Sequence, residues 1–155
     1  MKIAVSADHR GVSIYTFVRD LVTSSGHELV EVPTCQTNSC DYPDMAWAVA
    51  SAVADGQADR GILMCGSGIG MSISANKVKG VRAALCHDDV TAEMARRHND
   101  ANVLCLPADL LGRRLIENIV HIWLDTEFEG GRHARRVGKI SVIETGQDPA
   151  ESTDS

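Results

Sequence analysis

A chain of 155 residues, 44% hydrophobic and 23% charged, has the composition of an ordinary globular domain and the length to bury one core. A net charge of −6 argues against a general nucleic-acid binder, and an aromatic content of 4% leaves little for stacking bases. No apolar run approaches membrane-spanning length, and the N-terminus turns polar too soon for a signal peptide. Five cysteines without zinc-type spacing point to reduced thiols in a cytoplasm, with Cys35 and Cys40 left unpaired in a polar loop.

Residues 2–6 form a short β-rich run that leads into Ser6-Ala7-Asp8-His9-Arg10-Gly11. A helix fits 12–24, because Val12, Tyr15, Val18, Leu21 and Val22 share one face and Gly26 follows as a C-cap. Residues 29–32 make a second strand, and 33–41 are polar and turn-rich. Tyr42-Pro43-Asp44 opens a helix that continues through Ala54 to Gly56, Pro43 suiting a first-turn position. Residues 62–65 read as a buried parallel strand, apolar on both faces, and the helix after it ends near Gly80. A fourth strand covers 81–86, and a helix covers 91–97 until His98-Asn99-Asp100-Ala101-Asn102 breaks it. The fifth strand is 103–106, a long amphipathic helix spans 110–124, 128–133 is a loop, and a last helix runs roughly 135–144. Residues 1–145 form one domain, and the acidic tail 146–155 is expected to be disordered.

Strands alternating with helices specify a Rossmann-like parallel sheet covered on both faces, with ligands outside the carboxyl ends of the strands. That rule selects Asp8 and His9 after strand one, Cys65 and its loop after strand three, and His87 and Asp88 after strand four. His98 and Asn99 precede strand five and so belong to the opposite end. A neighbouring chain is the natural way to bring them to a site. Each also has a structural use: Asp8 as a helix cap, His87 as a turn residue, His98 as a charge favoured by a helix C-terminus.

The stretch Cys65-Gly66-Ser67-Gly68-Ile69-Gly70-Met71-Ser72 concentrates the chemistry. Its glycines let a ligand approach the main chain, and the helix that follows turns free N–H groups back toward the loop. Cys65 at the strand end is a potential base, and Ser67 a potential proton donor. Taken alone, such a Cys is more often a buried small hydrophobe. A dinucleotide fingerprint with Asp88 holding a ribose hydroxyl is the runner-up, but the glycines fall as G-x-G-x-G, not G-x-G-x-x-G.

Further segments carry a resemblance. Ser6 to Gly11, Asp41-Tyr42-Pro43-Asp44, Ala58-Asp59-Arg60-Gly61, Cys65 to Ser72, Ala75-Asn76-Lys77 and Arg82 to Asp88 resemble the signatures of ribose-5-phosphate isomerase type B. So do Arg97-His98-Asn99-Asp100-Ala101-Asn102-Val103-Leu104 and Glu127-Phe128-Glu129-Gly130-Gly131-Arg132-His133, so that the likeness spans residues 2–143 in order. That family includes relatives acting on galactose 6-phosphate or allose 6-phosphate. The resemblance implies a three-layer α/β/α sandwich on a five-stranded parallel sheet. It also implies dimers or tetramers with active sites shared between subunits, and no metal or other cofactor.

The implied reaction is aldose–ketose isomerisation through an enediolate. By resemblance Cys65 is the base that carries the proton between C1 and C2, and a helix N-terminus favours the thiolate form in which a thiol reacts. Ser67, where the family usually has Thr, moves protons at the sugar oxygens, and the amides of Gly66, Gly68, Ile69 and Gly70 hold the developing oxyanion. His98 matches the ring-opening residue, with Asn99, Asp8 and Tyr42 around the substrate. His9, Arg132 and Arg136 match phosphate contacts. Many members carry Arg at the position of Asp109, where an acid would repel a dianion. Arg10 and Arg113 are candidate replacements, with an Asp109–Arg113 pair expected on one helix face.

Overall fold

The computed structural model describes residues 1–151. Over these residues the chain alternates five strands and six helices: β1 (Lys2–Ala7), α1 (Val12–Ser24), β2 (Glu28–Val30), α2 (Tyr42–Ala54), β3 (Arg60–Cys65), α3 (Ile69–Ala75), β4 (Ala83–Leu85), α4 (Asp89–Asn99), β5 (Val103–Pro107), α5 (Arg113–Asp125) and α6 (Arg132–Glu144). The strands form one wholly parallel sheet in the order β2-β1-β3-β5-β4.

Alternation along the strands divides the core between the two faces of the sheet. Ile3, Val5, Ala7, Ile62, Met64, Leu104 and Leu106 pack with residues of α1, α4 and α5. Ala4, Leu63, Cys65, Val103 and Cys105 pack with residues of α2 and α3. The result is the expected three-layer sandwich. Ile62, Leu63, Met64, Leu104 and Leu106 are fully buried, each contributing about 1.5–3 kcal/mol. Ile62→Ala would cost about 2–5 kcal/mol by leaving a cavity in the core that the sheet shares with α1 and α5. On the other face α2 presents Ala46 and Ala50, both fully buried, and their small size lets the helix lie close to the strands.

Several element ends differ from the sequence expectation. α4 runs through His98 and Asn99 and stops at Asp100, whose φ of 46° is the positive one among the described non-glycine residues. Arg96 Nη1 and Arg82 Nη2 donate to the Asp100 carboxylate at 2.9 and 3.2 Å, fixing that turn. α6 starts three residues early, at Arg132, because consecutive positive φ values at Gly130 (65°) and Gly131 (55°) turn the chain directly into it. α5 starts late, at Arg113, which leaves Asp109 in the loop before the helix.

One further expectation is corrected. Cys35 and Cys40 form a disulfide, the curled loop bringing their Cα atoms to 5.8 Å, so the free thiols among the described residues are Cys65, Cys86 and Cys105. Of the tail expected to be disordered, Pro149 accepts a 2.6 Å hydrogen bond from Lys139 Nζ on α6, and residues 152–155 lie outside the described residues. No described helix is long and apolar enough to cross a membrane.

β1 sits between β2 and β3, so the chain leaves it first to one side and then to the other. The carboxyl ends of β1 and β3 therefore flank a topological switch point, where open α/β sheets leave a crevice.

Candidate active site

The crevice is a cleft of about 700 Å³ lined by Asp8, His9, Arg10, Tyr42, Cys65, Gly66, Ser67, Ile69, Gly70, Ile73, Asp109 and Leu110. Asp8, 4% exposed, ties the β1 turn: its Oδ1 accepts from the N–H groups of Arg10 and Gly11, both at 2.9 Å. It is therefore a cap-like residue at the edge of the cleft. His9 is held from the disulfide loop, its Nδ1 lying 3.2 Å from the Cys40 carbonyl and 3.3 Å from the Cys40 N–H, the tautomer deciding which bond forms.

Cys65 closes β3 with its side chain 5% exposed and accepts from the Gly68 N–H at 3.1 Å through Sγ. Gly68 has φ 74°, a conformation that costs a side-chain-bearing residue but not glycine, and this kink turns its amide onto the sulfur. The Ile69 N–H reaches Ser67 Oγ at 3.4 Å. The first N–H groups of α3 have no carbonyl a turn behind them and open toward the loop. A thiol, a hydroxyl and the loop amides turned onto them thus share one small surface. Gly70 is needed for another reason: a Cβ there would meet the Tyr42 ring at 2.7 Å.

Arg10 and Asp109 face each other over Gly66, with Arg10 Nε donating to Asp109 Oδ2 at 2.6 Å. The expected Asp109–Arg113 pair does not form. Asp109 lies outside α5, so the one-turn spacing on a helix face is absent, and Arg113 instead lies 5.3 Å over the Phe17 ring. Asp88, the runner-up ribose ligand, is taken as the cap of α4: its Oδ1 accepts from the Thr91 N–H at 2.7 Å, which holds its carboxyl below the usual range.

His98, Asn99, Arg132 and Arg136 do not join this cleft within the one chain. They lie on α4, which ends before the amino end of β5, and on α6, whose His133 stacks on His98, whereas Cys65 pairs with Pro107 at the carboxyl end of β5. Four strand residues separate the two levels, about 13 Å along the sheet. Asn99 lies instead along a groove of about 540 Å³ beside β4, and its carbonyl accepts from Arg82 Nε at 3.1 Å. His98 stacks on His133, ring centroids 4.1 Å apart and planes 1° from parallel. His133 is 5% exposed, and burial, followed by the neighbouring His98, holds it below the usual imidazole range.

Two side chains in this second group escaped the sequence reading, Glu129 and His133. With His98 they place one ligand atom each within 4.8 Å of one another, a candidate cation site. The surroundings oppose a cation: Glu129 Oε1 already accepts from Arg97 Nη2 at 2.7 Å, and Arg132 Nε donates to His133 Nε2 at 3.3 Å. A signal for these residues existed in the polar segment Glu127 to His133, but nothing in it said which side chains would meet α4.

Known proteins share both the sequence and the fold. Residues 3–140 match the family model described as Ribose/Galactose Isomerase. YwlF of Bacillus subtilis, described only in general terms as a sugar phosphate isomerase, is 50% identical over 145 residues, 93% of this chain and 97% of its own. The D-erythrulose-4-phosphate isomerase of Pectobacterium atrosepticum is 42% identical over 145 residues, 93% of this chain and 95% of its own. Among solved structures, ribose-5-phosphate isomerase B of Clostridium thermocellum superposes with a TM-score of 0.91 at 47% identity, covering 94% of this chain and 99% of that one. The chain belongs to the ribose/galactose isomerase family and is an aldose–ketose isomerase of sugar phosphates.

Proposed function

We propose that the substrate pair is ribose 5-phosphate and ribulose 5-phosphate, interconverted through an enediolate with Cys65 as the base. The observation that carries this reading is the Gly68 N–H on the Cys65 sulfur, in a cleft that also holds Ser67, Asp8 and His9. The thiolate removes the C2 proton of the open-chain aldose, the electron pair forms the C1–C2 double bond, and the former carbonyl oxygen becomes an oxyanion. Amides in the loop stabilise that oxyanion, a contribution of about 3 kcal/mol per well-aimed donor. Ser67 relays the proton between O1 and O2, and Cys65 returns its proton to C1.

The working enzyme is a homodimer, or a tetramer of such dimers, in which each cleft is completed by the neighbour's His98, Asn99, Arg132 and Arg136. Two half-sites at opposite ends of one sheet support this reading. His98 opens the sugar ring, and His9 with the two arginines binds phosphate by charge-assisted hydrogen bonds. The chemistry needs no metal and no other cofactor, since a carbon acid beside a carbonyl is activated by the oxyanion donors alone.

A second substrate class, a sugar phosphate of another length, is favoured by one observation: Asp109 puts negative charge where a phosphate would approach. A panel of tetrose, pentose and hexose phosphates assayed on the purified protein separates the two. The highest kcat/KM on ribose 5-phosphate is expected, and a higher value on a tetrose or hexose phosphate overturns that choice. Turnover surviving in Cys65→Ala removes the thiol from its role. Protection from thermal unfolding by a nucleotide, and none by any sugar phosphate, would support a nucleotide-binding module instead.

A further inference from the structure

Glu129 has no part in the reaction described so far, yet it meets the imidazole on which ring opening depends. Its Oε2 lies 3.4 Å from His98 Nε2 and 3.4 Å from His133 Nε2. Its Oε1 accepts from Arg97 Nη2 at 2.7 Å, and Arg97 Nη1 is tied to Glu93 one turn earlier at 2.8 Å. The Glu129 main-chain N–H donates to the Arg97 carbonyl at 3.0 Å, so backbone and side chain are both fastened to α4. The Arg97 hydrogen bond holds the Glu129 carboxyl below its usual range, and an ionised carboxylate only accepts.

The contacts decide which imidazole donates to it. Arg132 Nε–H points at His133 Nε2 from 3.3 Å, and a guanidinium has no acceptor, so His133 Nε2 must accept. The buried His133 ring then carries its proton on Nδ1 and offers nothing to Glu129 at Nε2. His98 is left as the imidazole donor for Glu129 Oε2. The stack on His133 fixes the plane of the His98 ring. At 3.4 Å the two atoms are at ion-pair range, a few tenths longer than a formed hydrogen bond.

We propose that Glu129 is a positioning residue for His98, holding the proton on Nε2 and leaving Nδ1 bare for the sugar. The inference rests on the ring-opening role proposed for His98. In that step Nδ1 takes the proton of the anomeric hydroxyl, and the O–H electron pair forms the C1=O bond. The bond from C1 to the ring oxygen breaks onto that oxygen, which receives the proton back from Nδ1. Between the two transfers His98 is an imidazolium with the Glu129 carboxylate beside Nε2–H, a pairing that stabilises imidazolium in hydrolase triads. Arg97 on α4 and Arg132 and Arg136 on α6 surround the pair with positive charge, which Glu129 offsets.

Glu129→Gln tests this with little change in shape. Arg97 only donates, so the new carbonyl stays on Arg97 and the amide NH2 faces His98 as a donor. His98 must then accept at Nε2 and shift its proton to Nδ1. Nitrogen-15 NMR of the full-length protein is expected to report His98 as Nε2–H in the wild type and Nδ1–H in the variant. Turnover of ribose 5-phosphate should fall about 10–100-fold in kcat with KM within about twofold, as for other outer-shell partners of histidine. An aldotetrose 4-phosphate cannot close a furanose because its ring oxygen is esterified, and its turnover should stay within about twofold. His98→Asn separates the ring-opening role from the positioning role. Unchanged turnover of ribose 5-phosphate in that variant defeats the ring-opening role itself. Loss there, with Glu129→Gln keeping both the wild-type tautomer and wild-type turnover, defeats the positioning role alone.

Discussion

Arg10 and Asp109 close an ion pair across the floor of the cleft, joined at 2.6 Å by residues 99 positions apart in the chain. A Cβ on Gly66 would stand 2.5 Å from Asp109 Oδ2 and 2.7 Å from Arg10 Nε, so glycine there is what lets the pair close over the loop. The side chains are 60% and 38% exposed, which limits the pair's worth to stability to about 0–1 kcal/mol. Its consequence is for binding. On the proposed reading, Asp109 neutralises the Arg10 guanidinium in a cleft that is to receive a phosphate dianion.

Asp109→Asn should therefore tighten binding. We expect KM for a phosphorylated sugar to fall about threefold or more as repulsion is removed and Arg10 is released. Arg10→Ala should lose about 1 kcal/mol in kcat/KM, because it leaves the Asp109 carboxylate unneutralised in the cleft. Arg113→Ala should leave both parameters unchanged, because its guanidinium lies over Phe17. Steady-state kinetics on the three variants checks the set, and a KM that rises in Asp109→Asn would mean the carboxylate itself binds substrate.

The buried thiols give the fold an alkaline limit. Burial pushes the Cys86 thiol up to about 12 from an ordinary 9.0, and burial also raises that of the fully buried Cys105. The folded state thus keeps protons that the unfolded chain releases above pH 9. Stability should be flat below that value and fall as pH rises past it, by up to about 1.4 kcal/mol per pH unit for each thiol. Urea midpoints measured from pH 8 to 10 should show the decline, and Cys86→Ala should lessen it. A midpoint that rises over this range contradicts the sign.

Much of the fold was legible because its strands are buried on both faces and so read as continuous apolar runs, as at Ile62 to Cys65 and Val103 to Leu106. Helix ends were less so. His98-Asn99-Asp100 looks like a breaker by composition, yet Arg82 and Arg96 bind Asp100 and let α4 run on to Asn99. The cleft was legible from strand ends, since the switch-point rule needs only order. What could not be read were partnerships between distant segments: Arg10 with Asp109, His98 with His133, Cys35 with Cys40. Periodicity is local, and each of these depends on where two loops or helices meet after the sheet has formed.

The disulfide loop bears on His9, whose Nδ1 is bracketed by the main chain of Cys40. In the chain-entropy view a bridge between cysteines five positions apart contributes about 2 kcal/mol, so the domain should stay folded without it. Cys35→Ser is then expected to lower the melting temperature by several degrees and to raise KM for the sugar phosphate, with kcat little changed. An unchanged KM would mean that His9 keeps its place without the loop, or that it does not touch substrate.

Cys65 lies at the carboxyl end of β3, level with Pro107, and His98 lies on α4, which ends before the amino end of the neighbouring β5, a strand about 13 Å long from Val103 to Pro107. Neither side chain can move that distance within a packed sheet, so one sugar can meet both only if they come from different subunits. Cys65→Ala and His98→Asn homodimers should each be inactive on ribose 5-phosphate. Mixed after dissociation or by co-expression, half the dimers become heterodimers. Symmetry gives each heterodimer one cleft with both defects and one cleft with neither. Activity should therefore return to about one quarter of the wild-type value, with no change in either variant's fold. If the two residues acted within one subunit, every cleft would carry one defect and mixing would restore nothing. Sedimentation of the mixture identifies the dimer, and a fully active monomer at assay concentration would refute the shared site outright.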